Sequence, residues 1–241
     1  EAARLLFSEM EDNRMRVILA EKPSVAQSIA AVLGADQKRN GYLQGENDIV
    51  SWCIGHLIEL APPEIYDARY AKWRREDLPI VPSAWESVVS DGTKKQFAVL
   101  KDLLNRTDVD EVVCATDAGR EGELIFRMVY EKTGCTKPVK RLWISSLEES
   151  AIREGFRSLK PGTAYDALYR AALCRAQADW LVGINGTRLY SRLYGTKLNV
   201  GRVMTPTLAM VAQREKEIAA FQVERFYTVQ LSCGFPAQGG R

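Results

Sequence analysis

The sequence lacks the features of several protein classes. It contains only one histidine and five cysteines, and no two cysteines form a C-x-x-C pair. Scattered cysteines in odd number support neither a disulfide framework nor a zinc site, so we expect reduced thiols. No apolar run approaches the roughly 20 residues of a membrane span, and no segment is flanked like a signal peptide. These absences predict a cytoplasmic protein with no membrane partner.

The sequence also lacks a large net charge. Its 33 basic and 31 acidic residues leave a formal net charge of +2, which argues against a globally basic nucleic-acid binder. The distribution is uneven, however, because the stretch from Arg170 to Arg202 holds six basic residues and one acidic residue, Asp179. This stretch predicts a local positive field that attracts phosphates.

Strand-like and helix-like segments alternate in the first part of the chain. A β-type run at 16–20 leads through Pro23 into a helix that Gly34 ends, and a hairpin is predicted over 42–52. Further strands are predicted at 111–115 and 139–144, alternating with helices at 94–105 and 121–132. This pattern predicts an α/β fold with a mostly parallel sheet and flanking helices.

The same patterns divide the chain into four parts. We expect a leader or added extension at 1–14, an α/β domain at 15–146 and a helical segment at 147–222. Residues 223–241 look like the start of an incomplete further domain, with a strand over 226–232. The proline-rich stretch at 62–82 carries a tryptophan and is expected to be a packed surface excursion rather than a disordered linker.

Acidic residues follow two of the apolar runs. Glu21 comes after Val17–Ala20, and Asp117 and Glu121 come after the run at 112–115. Because functional groups collect at the carboxyl ends of strands in open α/β sheets, these side chains are expected to meet at a divalent-cation site. The alternative is that they only favour helix N-termini through the macrodipole. Glu123, a full turn into the helix, is expected to be structural.

These motifs resemble a known family. The segments E-K-P-S (21–24) and D-A-G-R-E-G-E (117–123) resemble the Toprim domain, and G-R-V-M-T-P-T-L (201–208) resembles a signature of type IA DNA topoisomerases. The segment 176–185 resembles the family sequence that precedes this signature, and residues 15–233 are similar to the N-terminal part of the bacterial topoisomerase III group. The resemblance implies a Rossmann-like Toprim fold followed by an all-helical segment.

The resemblance also implies a reaction and a cofactor. A tyrosine reversibly cleaves one DNA strand, leaving a 5′-phosphotyrosyl link, and Mg²⁺ is held by Glu21, Asp117 and Glu121. Glu21 exchanges a proton with the leaving 3′ oxygen, and Lys22 offers positive charge to the phosphate. Many relatives carry Asp where this chain has Gly119, so a single Mg²⁺ is favoured over two. Met204 stands where the signature usually has Gln.

DNA, preferentially single-stranded, is the implied partner. Arginines attract its phosphates and aromatic rings stack on its bases, and His56 lies in a G-H-L segment that relatives share. Arg120 is expected to anchor a phosphate or a neighbouring carboxylate. The alternatives are solvated surface charge for each arginine and ordinary packing for His56 and Trp73. The predicted DNA-binding residues are His56, Trp73, Arg120, Arg175, Arg188, Asn199, Val200, Gly201, Arg202, Val203 and Met204.

None of the nine tyrosines lies in the Y-P-R-T-like context of the family nucleophile. We therefore expect this chain to bind DNA and Mg²⁺ but not to cleave DNA alone, because the gate domain with that tyrosine is missing. Two alternatives remain. One is a non-catalytic module that binds single-stranded nucleic acid, and the other is a Toprim protein of the primase or nuclease kind, against which the segment 201–208 argues.

Overall fold

A computed structural model describes residues 15–234 of the chain. The predicted leader at 1–14 and the last residues of the predicted segment 223–241 lie outside this range. The chain divides into two compact units between Gly201 and Arg202.

The first unit is built on a seven-stranded sheet with β1 (Met15–Ala20) at its centre. β1 pairs in parallel with β4 (Asp48–Trp52) and with β7 (Val109–Ala115). The other strands are β2 (Gln37–Arg39), β3 (Tyr42–Gln44), β8 (Val139–Arg141) and β9 (Lys160–Pro161), in the order β2-β3-β4-β1-β7-β8-β9. At one edge of the sheet, β2 pairs antiparallel with β3, and β3 with β4. At the other edge, β8 pairs in parallel with β7 and antiparallel with β9.

Helices cover both faces of this sheet. The helices are α1 (Pro23–Leu33), α2 (Pro63–Tyr66), α3 (Lys94–Leu104), α4 (Arg120–Thr133), α5 (Glu149–Arg157), α6 (Asp166–Tyr194) and, in the second unit, α7 (Met204–Ala219). One core cluster joins the sheet to α3, α4 and α6, and the other joins it to α1 and α5. The predicted α/β class, with a mostly parallel sheet and flanking helices, is confirmed.

Local sequence explains how the first β-α unit forms. Val17, Ile18 and Leu19 are fully buried because the central strand is covered on both faces, which suits an unbroken apolar run. Pro23 occupies the first turn of α1, where its missing N–H costs nothing. Gly34 ends the helix in the left-handed conformation with φ of 73°, which favours glycine.

The proline-rich excursion packs against α6. It begins and ends in a small antiparallel sheet of β5 (Ile58–Leu60) and β6 (Ser87–Val89). The Asn185 amide accepts from the Ile80 N–H at 2.6 Å and donates to the Ile80 carbonyl at 2.9 Å. Trp180 Nε1 donates to the Ala61 carbonyl at 3.0 Å. The excursion is therefore an ordered part of the first unit, as predicted.

The structure differs from the sequence prediction in three places. β8 ends at Arg141, short of the predicted end at residue 144. Lys160 and Pro161 form β9 at the sheet edge, whereas only helices were predicted over 147–222. Residues 226–232 are exposed and form no strand among the described residues, so the strand predicted there is wrong. An alternating sequence makes a strand only when another strand pairs with it.

Within the described part of the chain, none of the helices combines the length and the apolar character that crossing a bilayer requires.

Candidate active site

The carboxyl ends of β1 and β7 bring two of the predicted acids together. The two strands are parallel neighbours in which Leu19 pairs with Cys114 and Ala20 with Ala115. The chain therefore leaves both strands at the same edge, with Glu21 on one side and Asp117 on the other. The Asp117 N–H donates to Glu21 Oε2 at 3.2 Å, across 96 residues of sequence.

Lys22 lies between these two carboxylates. Its Nζ is 3.8 Å from Glu21 Oε1 and 3.7 Å from Asp117 Oδ2. The two acids differ in environment, because the Glu21 side chain is only 12% exposed whereas that of Asp117 is 58% exposed. The edge therefore holds two negative charges around one ammonium group, and its more exposed acid faces solvent.

The turn that presents Asp117 is tightly folded. Thr116 Oγ1 donates to the Gly122 carbonyl at 2.7 Å. A Cβ atom at Gly122 would lie 2.2 Å from the Asp117 carbonyl oxygen, a distance that no side chain can occupy. Glycine is thus required at position 122 by close backbone approach, with Gly119 extended just before α4.

A buried ion pair supports the same turn. Arg141 and Glu123 are almost fully buried, and Arg141 Nε donates to Glu123 Oε2 at 3.0 Å. The Arg141 guanidinium also donates to the carbonyls of Thr116 at 2.8 Å and Asp117 at 2.7 Å. Arg127 reaches the other oxygen of Glu123 at 3.1 Å. Glu123 is therefore structural, as expected.

The structure places Glu121 beside His56. Glu121 Oε2 is 3.7 Å from His56 Nε2, and both side chains are about half exposed. Among residues 15–234 no three acidic, histidine or cysteine side chains gather closely enough to hold a metal ion. Glu21 and Asp117 thus form a pair, and Glu121 does not complete a three-ligand cluster with them.

A cavity of about 400 Å³ opens next to His56 and Glu121. Arg175, a predicted DNA contact, lines this cavity together with Asp179 and Trp180. Arg175 Nε lies 3.7 Å from Asp179 Oδ2, one helical turn further along α6. The cavity therefore brings together a histidine, an arginine and three acids, Glu59, Glu121 and Asp179.

Two other predicted DNA contacts pack on each other. The Arg188 guanidinium lies 5.4 Å from the ring centre of Trp73, and it donates to the Tyr70 carbonyl at 2.6 Å. Arg188 is only 5% exposed, and desolvation lowers the pKa of its guanidinium while Glu64, 3.8 Å away, opposes that shift. In this structure Arg188 fastens the excursion to α6, and its charge is turned away from solvent.

The remaining predicted residues lie on different elements. Arg120 is the exposed first residue of α4. Val200 packs against Gly186, and its N–H donates to Thr187 Oγ1 at 2.9 Å, so the Asn199–Gly201 segment lies against α6. Arg202, Val203 and Met204 belong to the second unit, at the start of α7.

Sequence reasoning missed Arg141. A signal was present, because two charged residues, Lys140 and Arg141, interrupt the otherwise apolar predicted strand at 139–144, and a charge buried there needs a partner. The buried cysteine Cys114, by contrast, is not activated as a nucleophile. Burial raises the pKa of the Cys114 thiol to about 11, so this cysteine stays protonated near neutral pH.

Comparisons with known proteins agree with this geometry. A family model described as "Toprim domain" matches residues 16–147, more than half of the chain, and one described as "DNA topoisomerase" matches residues 163–240. Among curated proteins, "DNA topoisomerase 3" of Bacillus thuringiensis (strain Al Hakam) is 51% identical over 214 residues, covering 89% of this chain and 29% of that protein. "DNA topoisomerase 3" of Shouchella clausii (strain KSM-K16) is 52% identical over 218 residues, covering 90% and 30%.

A solved structure is similar as well. Full-length Topoisomerase I from Thermotoga maritima matches with a TM-score of 0.60 and 26% sequence identity, covering 86% of this chain and 31% of that one. The chain spans about 30% of the length of the curated relatives described above. The resemblance to the Toprim and type IA topoisomerase families is confirmed.

Proposed function

Because the chain belongs to the Toprim family, we propose that it supplies the acidic, cation-binding part of a type IA DNA topoisomerase together with part of the DNA-binding surface. The observation that carries the proposal is the meeting of Glu21, Lys22 and Asp117 at the carboxyl edge of the sheet. Residues 15–146 form the cation-binding domain and residues 147–222 the helical DNA-binding segment.

The residues at the edge suit Mg²⁺. This ion takes oxygen ligands, keeps several waters and is usually bound by one or two carboxylates plus a substrate phosphate. Glu21 and Asp117 supply two such carboxylates and already share a cation, the Lys22 ammonium. A bound Mg²⁺ neutralises charge on a phosphate. Glu121 approaches His56 and Gly119 offers no carboxylate, which favours a single ion.

Each residue at the edge has a distinct role in strand cleavage. Glu21, the more buried acid, exchanges a proton with the 3′ oxygen that leaves the scissile phosphate. Lys22 places positive charge where negative charge develops on the phosphate oxygens. Asp117 faces solvent and holds the cation. The nucleophilic tyrosine comes from sequence outside these 241 residues, because no tyrosine here has the expected context.

The DNA strand approaches along α6. Arg175 and His56 line the cavity next to Glu121, and this placement supports phosphate contacts there. Single-stranded DNA is the favoured form because its backbone can follow a narrow groove while its bases stay free to stack. Arg120, Arg202 and the 199–204 segment remain proposed contacts.

The proposal is tested by magnesium titration of the purified chain in a calorimeter. We expect weak binding that Glu21→Ala and Asp117→Ala each reduce at least severalfold. Asp91→Ala, which removes a carboxylate 94% exposed on another part of the surface, serves as the matched control and leaves the affinity unchanged. If both edge variants bind Mg²⁺ as tightly as the wild-type chain does, Glu21 and Asp117 are not its ligands.

A second candidate is a module that binds single-stranded DNA without chemistry. The absence of a tyrosine in the expected context favours it for this chain alone. Incubation with a labelled oligonucleotide, followed by denaturing electrophoresis, tests the expectation, common to both candidates, that this chain alone forms no covalent adduct. A covalent adduct formed by this chain alone contradicts both the second candidate and the placement of the nucleophile elsewhere.

A further inference from the structure

An aromatic surface lies beside the carboxylate edge. The Trp143 side chain follows β8 and is 41% exposed, although large apolar residues are usually buried in a core of this size. It stacks on Tyr165, with ring centres 4.8 Å apart and planes inclined by only 16°. The stacking holds the indole ring in one orientation while part of it faces solvent.

Two groups near the Trp143 ring, Arg141 and Tyr165, do not lie on opposite faces of it. The Arg141 guanidinium is 5.0 Å from the Trp143 ring centre and 6.0 Å from that of Tyr165. If Arg141 and Tyr165 lay on opposite faces of the indole, they would be separated by nearly the sum of their distances to it. The observed 6.0 Å is much shorter, so the two groups do not sandwich the ring.

Arg141 ties this ring to the acidic edge. The same guanidinium that lies near Trp143 donates to the Asp117 carbonyl at 2.7 Å. A recess of about 350 Å³ begins one residue after Trp143 and is lined by Asp117, Ala118, Ser145 and Ser146, among others. Through Arg141, the ring therefore lies close to the turn that carries Asp117.

Positive charge and hydroxyl groups accompany the ring. Lys160 is exposed and lies directly opposite Arg141 across the β8–β9 pair, at the same sheet edge. Ser145 and Ser146 are exposed and offer hydroxyl donors in the recess. Ammonium and hydroxyl groups are typical contacts to a DNA backbone, and an aromatic face is the usual contact to an unpaired base.

We propose that the exposed part of the Trp143 ring stacks on one base of single-stranded DNA held near the carboxylate edge. The backbone of that nucleotide then passes over Ser145 and Ser146 toward Lys160. This proposal rests on the proposed function, since it adds a base-binding position to the same DNA site. Stacking accepts any base, so the position contributes affinity and fixes the strand without selecting sequence.

The test uses the full chain and fluorescein-labelled oligo(dT) in an anisotropy titration. Trp143→Ala is expected to weaken binding by roughly 5- to 150-fold, the range measured for loss of one base–aromatic stack. Trp143→Phe keeps a ring and retains most of the affinity. Ile65→Ala, which shortens an apolar side chain 58% exposed on α2, is the control and binds like the wild-type chain.

A second measurement separates stacking from folding. Oligonucleotides carrying 2-aminopurine at successive positions are expected to show one position whose fluorescence is quenched by the wild-type chain and by Trp143→Phe, but not by Trp143→Ala. Thermal unfolding of each variant is followed in parallel, and a Trp143→Ala chain that melts like wild type yet binds weakly supports the proposal.

The outcomes distinguish the two proposals. If the wild-type chain binds the oligonucleotide and Trp143→Ala binds it with the same affinity, the stacking position is overturned and the proposed function stays intact. Failure of the wild-type chain to bind any oligonucleotide overturns both. A loss of affinity that Trp143→Phe does not restore, together with a lowered melting temperature, assigns Trp143 a purely structural role and also overturns the proposal.

Discussion

At the scale of single residues, Arg141 combines a buried charge with almost full use of its donors. It pairs with Glu123 and donates to carbonyls of Cys114, Thr116 and Asp117. Removing a charge from the interior costs several kcal/mol when its partner is left behind without compensation. The geometry of the Asp117 turn therefore depends on a residue that does not itself reach solvent.

Replacement of Arg141 tests this dependence. Arg141→Met keeps the bulk of the side chain but leaves Glu123 with Arg127 alone, so we expect the free energy of unfolding to fall by about 3–5 kcal/mol. Urea unfolding followed by circular dichroism measures the change. Lys140→Met, at the partly exposed neighbouring position, serves as control and is expected to stay within about 0.5 kcal/mol of wild type. A stable Arg141→Met variant would show that the carbonyls need no buried cation.

The candidate site was predictable from sequence only in part. Glu21 and Asp117 could be predicted to meet because both follow apolar runs that pair in parallel, and that rule needs no knowledge of packing. The partner of Glu121 could not be predicted, since His56 reaches it through a loop whose path is set by tertiary contacts. The burial of Arg188 on Trp73 depends on how the excursion folds back, which local sequence does not specify.

At the scale of elements, the central strands and their helices follow directly from the sequence pattern. The hairpin of β3 and β4 and the α1 helix ending at Gly34 also form as predicted. β9 escaped prediction because its two residues, one of them proline, carry no strand pattern and are tolerated only at a sheet edge. Long-range pairing, rather than propensity, decides such short elements.

The docking of the excursion on α6 leads to a prediction about Asn185. Asn185→Ala removes both hydrogen bonds to the Ile80 backbone and leaves partly buried polar groups without partners, a loss of about 1–3 kcal/mol. We expect the excursion to open more often. Trypsin should therefore cleave about tenfold faster at its exposed basic residues, Arg69, Lys72, Arg74 and Arg75. Mass spectrometry of timed digests locates the cuts.

The matched control for this experiment lies on the same helix. Leu193→Ala shortens a side chain of α6 that is 50% exposed, neither creates nor removes a trypsin site, and is expected to leave the digestion pattern unchanged. Cleavage of Asn185→Ala at the wild-type rate would mean that the ring contacts of Trp180 with Tyr66 and Trp85 hold the excursion without the amide.

At the scale of the whole molecule, a nearly neutral chain separates its charges by region. The net charge of +2 hides an acidic edge at the sheet and a basic stretch from Arg170 to Arg202. On the proposed function, such a chain would bind DNA through a few local contacts rather than through a general field. Its affinity should therefore depend on salt less steeply than that of a strongly basic protein.

This separation of charge predicts the salt dependence. With three or four phosphate contacts to single-stranded DNA, the logarithm of the affinity should fall with the logarithm of salt concentration with a slope of about −2 to −3. Anisotropy titrations at several NaCl concentrations measure it. Arg175→Ala should make the slope shallower by about 0.7, whereas Arg157→Ala, on an exposed ion pair of α5, should not. Affinity independent of salt would contradict phosphate contacts altogether.

The position of Lys22 between Glu21 and Asp117 has a consequence for assembly of the site. A built-in counter-ion relieves the repulsion of the two acids, so the polypeptide reaches its native state without first capturing an ion. On the proposed function, a divalent ion held by Glu21 and Asp117 would take the place of the Lys22 ammonium between the two carboxylates. Folding and cation binding are thereby separate events, and a chelator should leave the melting temperature of this chain unchanged.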